Sequence, residues 1–173
     1  MENKYSIWLI PTGEVYKRFK EKISQLSRQY NSPNFDPHIT LIGELVGSEE
    51  EVATKTTKLT NIIQPFKIKF LKADYFDEHF KALFIRAEKT TDLIEANKKA
   101  SKVFGLPNNL DYMPHLSFIY GDFDSKTKEE IIKNLGREFN VDFEVKSIHL
   151  FFTTGEVKDW YKVGEYHLSN NRL

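Results

Sequence analysis

The sequence predicts an α+β protein, and three observations predict it. Short apolar runs of strand length alternate along the chain with stretches of helical spacing. The strands lack the long apolar runs of a wholly parallel sheet. No linker, low-complexity tract or charge block divides the 173 residues. A chain of this length suits one compact domain or two intimately packed lobes, so we expect a single domain over residues 1–173.

Seven stretches have the composition of strands, being short and rich in β-branched and aromatic residues. They span residues 5–10, 38–46, 66–76, 80–87, 115–120, 141–153 and 159–168. Pro11 closes the first strand. The polar pair Asp77 and Glu78 between the third and fourth strands suits a hairpin turn.

Four stretches have helical spacing or a helix-start signal. They span residues 14–29, about 49–63, 91–104 and about 125–135. The first and third carry apolar stripes at steps of three and four. Ser48 and Glu51 form a predicted capping box for the second helix, and Pro65 follows its end. Asp124 or Ser125 is the predicted N-cap of the fourth.

The composition disfavours several classes of protein. The 25 Lys and Arg residues balance the 25 Asp and Glu residues, whereas a protein that grips long nucleic acid needs a basic surplus. With no cysteine, there is no disulfide scaffold, thiolate nucleophile or cysteine metal site. The first apolar run follows the acidic Glu2 and is too short for a signal peptide, and no run reaches membrane-spanning length. We therefore expect a soluble cytoplasmic protein without membrane association.

One pattern occurs twice. Residues 35–42 (Phe-Asp-Pro-His-Ile-Thr-Leu-Ile) align with residues 112–119 (Tyr-Met-Pro-His-Leu-Ser-Phe-Ile). Because side chains alternate between the faces of a strand, His38 and Thr40 share one face, as do His115 and Ser117. Two copies of Pro-His-x-hydroxyl arise by chance in well under roughly one chain in a thousand of this length. The pattern therefore indicates catalysis rather than two unrelated structural histidines.

The remaining histidines do not fit the pattern. His167-Leu168-Ser169 repeats the bare tripeptide, but it lacks the proline and the apolar continuation, so we interpret it as chance. His79 and His149 lack a hydroxyl partner and are interpreted as hairpin and strand residues. A metal site is less favoured, because hydroxyls are poor ligands. Residues 121–124 could offer carboxylates, but a turn and helix N-cap explains them better.

Two histidines with two hydroxyls suit transfer at phosphorus. One neutral imidazole can activate an O–H nucleophile while a protonated one supplies a proton to the leaving oxygen. The hydroxyls can donate hydrogen bonds to the non-bridging oxygens without a metal. An in-line displacement places the attacking and leaving oxygens on opposite sides, as two histidines flanking a cleft require.

The duplicated motif resembles that of the two-histidine (2H) phosphoesterase superfamily, over nearly the whole chain. The closest resemblance is to the plant- and fungal-type cyclic phosphodiesterases, carried by residues 5–11, 37–40 and 112–120 and by Trp160. The resemblance implies two pseudo-symmetric lobes, each an antiparallel sheet with helices, flanking a central cleft. It also implies opening of nucleoside 2′,3′-cyclic phosphates to 2′-phosphates and of ADP-ribose 1″,2″-cyclic phosphate, with no metal or other cofactor.

The resemblance assigns residues as follows. His38 and His115 are the catalytic pair, with His115 adopted as base and His38 as acid. Thr40 and Ser117 hold the phosphate, and Tyr120 orients the water or a phosphate oxygen. Strand parity turns Tyr120 away from the cleft unless the strand ends or bulges there, which Gly121 makes plausible. Side chains that could stack on a base or line the cleft are Phe84, Trp8 and Trp160, for which burial in the core is an equal alternative.

The expected partner is a small cyclic nucleotide or ADP-ribose cyclic phosphate, bound by a monomer with no stable nucleic-acid partner. One alternative is a 2H enzyme that acts on RNA termini or 2′–5′ linkages, which should show a basic groove. The other is a nucleotide- or RNA-binding module that has lost catalysis, against which the intact motifs argue.

Overall fold

The computed structural model describes residues 2–169. In this range eight strands form one sheet in the order β6-β3-β4-β5-β2-β1-β7-β8, and every described pairing is antiparallel. The strands are β1 (Lys4–Leu9), β2 (Ile39–Val46), β3 (Phe66–Asp74), β4 (Leu83–Ala87), β5 (His115–Ile119), β6 (Asp142–Val145), β7 (Ser147–Phe152) and β8 (Tyr161–His167). The helices are α1 (Gly13–Tyr30), α2 (Glu49–Thr60), α3 (Thr91–Phe104) and α4 (Ser125–Leu135). The predicted α+β class is confirmed.

The two halves of the sheet meet at the pairing of β2 with β5, which brings the two copies of the motif side by side. Ile39 lies opposite Leu116, and both are fully buried. Their side chains point toward the helices: α1 packs Phe19 against Phe118 with ring centroids 5.5 Å apart, and Asn97 of α3 donates to the Leu41 carbonyl. The opposite face at the centre of the sheet is therefore left for the cleft.

The predicted helix starts are confirmed by their caps. The Ser48 hydroxyl accepts from the Glu51 amide while the Glu51 carboxylate accepts from the Ser48 amide, which is the predicted capping box. Asp124 accepts from the Thr127 amide at 2.7 Å, so the stretch after Gly121 is a turn and N-cap. Helix α2 ends at Thr60, a few residues before the predicted Ile63.

One predicted element was wrong. The single strand expected over 141–153 is two strands, which break at Lys146. Strand β6 pairs with β3 at one end of the sheet, and β7 pairs with β1 near the other end. Two Cα–Cα steps span at most about 7.6 Å, so the sheet must curl until β6 approaches β7. No glycine or proline lies between β6 and β7, so the sequence gives no local signal for the break between the two strands.

The β3–β4 connection also differs from the predicted simple hairpin. Residues His79–Lys81 form one turn of 3₁₀ helix, and β4 begins only at Leu83. Lys128 of α4, almost fully buried, fixes this connection by donating to the Phe76 carbonyl at 3.0 Å and to Asp77 at 2.8 Å. The short turn is thereby held beside β5, at the edge of the cleft.

Candidate active site

Both copies of the motif line one cleft, whose volume is about 1090 Å³. His38, Thr40, His115 and Ser117 all contribute to its wall. Extending the antiparallel register of Ile39 and Leu116 by one residue in each direction places His38 beside Ser117 and Thr40 beside His115. Each imidazole therefore has the other motif's hydroxyl as its cross-strand neighbour, and all four side chains line the same cleft.

The two imidazoles are held in the same way. His38 Nδ1 lies 2.6 Å from the Asp36 carbonyl oxygen, and His115 Nδ1 lies 2.8 Å from the Met113 carbonyl oxygen. A carbonyl oxygen can only accept, so Nδ1 carries the proton in both rings. The nitrogen left to exchange a proton with a ligand is Nε2 in each case.

Burial makes both histidines weak bases while the cleft is empty. Burial is the main reason why the pKa of His38 is lowered to about 4, and the neighbouring His115 acts in the same direction. The Asp36 carbonyl and carboxylate oppose both, because they favour the charged ring. Burial also lowers the pKa of His115, with the cations Lys81 and Arg86 acting in the same direction. Both rings are therefore neutral near pH 7 until an anion enters the cleft.

The two hydroxyls are not in equivalent states. Ser117 Oγ donates to the Phe80 carbonyl at 3.0 Å, across to the 3₁₀ turn. No protein group within residues 2–169 forms a hydrogen bond with the Thr40 hydroxyl. Thr40 is therefore free to donate to a ligand, whereas Ser117 must first give up its bond to the turn.

Tyr120 reaches the cleft because β5 ends at Ile119. Gly121 follows with φ +146°, a conformation that L side chains rarely adopt. The Tyr120 ring stacks on Phe35 with centroids 4.0 Å apart. Burial raises the pKa of Tyr120, so its hydroxyl is a neutral donor. Phe35 is the aromatic residue of the first motif, and no separate signal in the sequence marks this contact.

Two of the three side chains that could stack on a base or line the cleft pack against the motif histidines. Trp8 contributes only to the cleft wall, because His38 covers one face of its indole (centroids 3.6 Å apart) and Phe151 packs against the ring at 3.8 Å. Phe84 is fully buried, with its ring centroid 5.0 Å from that of His115, and it does not line the cleft. The prediction of a cleft position is therefore wrong for Phe84, for which the alternative of burial in the core holds, whereas Trp8 lines the cleft with its ring packed against His38.

Trp160 does line the cleft, and so does Phe80. Phe80, on the 3₁₀ turn, is 53% exposed, and its ring lies 6.1 Å from that of Trp160 at a tilt of 30°. Aromatic side chains that line a cleft are typical of a site for a small ligand. The resemblance places Phe80 where the family has an aromatic-rich strand near the cleft.

The other end of the cleft is polar and was not predicted. Ser6 and Thr153 share a hydrogen bond of 3.2 Å there, and Lys4 forms an ion pair with Glu44. Glu44 has φ +56° in a bulge of β2, a conformation that is uncommon outside glycine. The rim therefore carries opposite charges in pairs rather than a basic track.

The three other histidines lie outside the two motifs. His79 lies on the cleft rim 3.6 Å from Asp122, whereas His149 is buried in β7 and His167 ends β8 outside the cleft wall. Within residues 2–169, no three His, Asp or Glu side chains are grouped so that they could hold a metal ion. No helix in that range is both long and apolar enough to cross a bilayer.

Comparisons with known proteins agree with this geometry. The family model described as "Cyclic phosphodiesterase-like protein" matches residues 3–168. A cyclic phosphodiesterase of Arabidopsis thaliana is 23% identical over 125 residues, which is 72% of this chain and 69% of the relative.

Solved structures share the fold. A Thermus thermophilus protein, TT0787, has a TM-score of 0.64 at 16% identity, over 95% of this chain and 97% of that one. Escherichia coli LigT complexed with ATP has a TM-score of 0.68 at 11% identity, over 98% and 100% of the two chains. LigT complexed with 3′-AMP gives 0.66 at 11% identity, over 98% and 99%. Taken together with the family match, the predicted resemblance is confirmed: the chain belongs to the cyclic phosphodiesterase-like family, a family of phosphodiester hydrolases within the 2H phosphoesterase superfamily.

Proposed function

We propose that the protein hydrolyses small cyclic phosphodiesters without a metal ion, by acid–base catalysis with His38 and His115. The substrates are nucleoside 2′,3′-cyclic phosphates, opened to 2′-phosphates, and ADP-ribose 1″,2″-cyclic phosphate, opened to the 1″-phosphate. One observation carries the proposal: two imidazoles with the same Nδ1-to-carbonyl bond line one cleft, each with a hydroxyl at its side.

The step can be written for a 2′,3′-cyclic phosphate. Neutral His115 takes a proton from water at Nε2 as the water oxygen bonds to phosphorus. The bond from phosphorus to O3′ breaks, and protonated His38 gives its Nε2 proton to O3′. The products are a free 3′-hydroxyl and a 2′-phosphate, and a proton passes back from His115 to His38 through solvent before the next turnover. Thr40 and Ser117 donate to the non-bridging oxygens, and Tyr120 orients the water or one of these oxygens.

The charges around the two rings support this division of roles. His115 faces the cations Lys81 and Arg86, with Glu78 as the opposing anion, so its neutral form is favoured. His38 faces the Asp36 carboxylate, which favours its charged form. A phosphodiester anion bound between them raises the affinity of the nearer ring for a proton. Burial, the largest influence on His38, lowers its pKa to about 4 in the empty cleft, so His38 holds the proton for the leaving oxygen only once a bound phosphodiester offsets that effect.

The rim favours a small substrate over long RNA. Lys4 pairs with Glu44 and Lys81 pairs with Glu78, so the positive charges at the cleft are already compensated. A track for many phosphates needs uncompensated Lys and Arg. The end of the cleft formed by Phe80 and Trp160 offers apolar surface for a base. We further expect a cytoplasmic monomer without a cofactor.

The test is a panel of cyclic phosphates incubated with pure protein and EDTA, with the products separated by position of the phosphate. We expect 2′-phosphates, and loss of turnover in His38→Ala and His115→Ala, with His→Gln no better. His167→Ala is the matched control, because it changes the same tripeptide outside the cleft and should leave the rate unchanged. Binding of cyclic phosphates without turnover would indicate a binding module, and cleavage confined to RNA ends or 2′–5′ linkages would indicate the alternative enzyme.

A further inference from the structure

Trp8 packs face to face on His38. Their ring centroids are 3.6 Å apart and their planes differ by only 8°. The indole is 3% exposed, and Phe151 packs against it with centroids 3.8 Å apart. Because the indole is fixed between these two rings, it cannot turn toward a ligand. Its direct partner at the cleft is the imidazole.

Phe84 occupies the corresponding position in the other half of the sheet. Trp8 lies opposite Thr40 in the β1–β2 pairing, and Phe84 lies opposite Ser117 in the β4–β5 pairing. The duplicated motif thus has one aromatic neighbour in each copy. The contacts differ, because Phe84 meets His115 at 62° with centroids 5.0 Å apart. The Arg86 guanidinium also lies 5.6 Å from the Phe84 ring centroid.

This difference has an electrostatic consequence. The face of an indole is electron-rich and attracts a cation within about 6 Å of the ring centroid. The parallel stack places the whole His38 ring against that face, so the charged imidazole gains more from the contact than the neutral one. In the other half the ring beside His115 is tilted and already has a cation beside it. The aromatic neighbours therefore favour a proton on His38 over one on His115.

We propose that Trp8 is a positioning residue that fixes the His38 ring and stabilises its protonated form for donation to the leaving oxygen. The proposal rests on the proposed hydrolysis for its role in turnover, but the contact itself does not. The other charged and titratable groups that face His38 are His115 and Asp36, and those that face His115 are Lys81, Arg86 and Glu78. These groups stay in place when only the indole is altered.

The sharpest perturbation changes the electrons of the indole and little of its shape. The protein has two tryptophans, so a Trp160→Phe background leaves Trp8 as the single site for fluorinated tryptophans. Each added fluorine weakens the attraction of the ring face for a cation. The titration of His38 is followed by NMR of its imidazole in the presence of inorganic phosphate. We expect its midpoint to fall stepwise with fluorination, by about 0.5 to 1 pH unit for the fully fluorinated ring.

Turnover gives the second measurement. The rate falls as pH rises through the pKa of the acid, so fluorination should move this limb of the profile to lower pH. Phe84→Leu is the matched variant in the other half, and it should leave the His38 midpoint unchanged. The proposal is overturned if the midpoint of the His38 titration does not change with fluorination of Trp8, or if Phe84→Leu shifts it by the same amount. Absence of turnover with every cyclic phosphate would refute the proposed function instead, because the NMR titration does not depend on it.

Discussion

Removing the two motif hydroxyls one at a time should give unequal losses of activity, although the motif presents them as equivalents. The changes are Thr40→Val, which keeps the shape of the side chain, and Ser117→Ala. Loss of one donor to a developing phosphoryl charge costs about 10²–10³ in kcat, and the same factor in kcat/KM. That full cost applies to Thr40, whose hydroxyl makes no hydrogen bond with the protein in residues 2–169.

The loss of activity on removing the Ser117 hydroxyl should be smaller, by the free energy of the hydrogen bond that this hydroxyl already makes in the free protein. Its hydroxyl donates to the Phe80 carbonyl at 3.0 Å, and binding of phosphate must replace that bond. A neutral hydrogen bond contributes about 0.5–1.5 kcal/mol net, which is about 2–13-fold in rate. We therefore expect the loss of kcat/KM, which is referred to the free enzyme, to be smaller in Ser117→Ala than in Thr40→Val by up to about tenfold.

The assay is kcat/KM for a nucleoside 2′,3′-cyclic phosphate, measured with the thermal midpoint of each variant. Ser24→Ala on α1 is the matched control, since its hydroxyl donates to Asn34 at the surface, away from the cleft, and its loss should change neither value. An equal or larger loss of kcat/KM in Ser117→Ala would refute the reasoning, because the bond to Phe80 would then be kept in the complex or have no effect on it.

Three further outcomes are expected. Burial lowers the pKa of both His38 and His115, so the pH profile of kcat/KM should have its optimum below pH 6.5. The pH profile of kcat should lie at higher pH, because bound phosphate favours the charged rings. Burial likewise lowers the pKa of His149 to about 4, so its neutral form stabilises the fold fully above the unfolded value of 6.5 and this contribution is lost as pH falls through 4. In the unaltered protein, protonation of His149 should lower the unfolding free energy by up to about 3 kcal/mol between these pH values. Urea titrations should show that His149→Gln does not suffer this part of the loss. Gly121→Ala should lower the thermal midpoint and the activity together, because a Cβ there would lie 2.6 Å from the Phe123 ring at φ +146°, and unchanged values would contradict the geometry.

The centre of the molecule could be predicted from the sequence better than its edges, for a physical reason. The alternation of His38, Ile39 and Thr40 is a local property of a strand, so one face toward the core and one toward a cleft followed directly. The crossing at Lys146 depends on how strands distant in sequence pair, and no residue type marks it. Trp8 and Phe84 show the same limit. The sequence shows that both are aromatic residues in strands. It cannot show whether the ring stacks on a base or packs on a histidine, because both roles require the same kind of side chain.

The proline before each histidine contributes to the chemistry as well as to recognition of the motif. A proline restricts the residue before it to extended backbone, which fixes the direction of that residue's carbonyl. In both copies this carbonyl, of Asp36 and of Met113, is the one that accepts from Nδ1. The same local element therefore sets the tautomer and the orientation of each ring before any substrate arrives. Because this constraint is local and identical in the two copies, it cannot distinguish an acid from a base. That distinction must come from the surroundings, in which Trp8 and Asp36 differ from Phe84, Arg86 and Lys81.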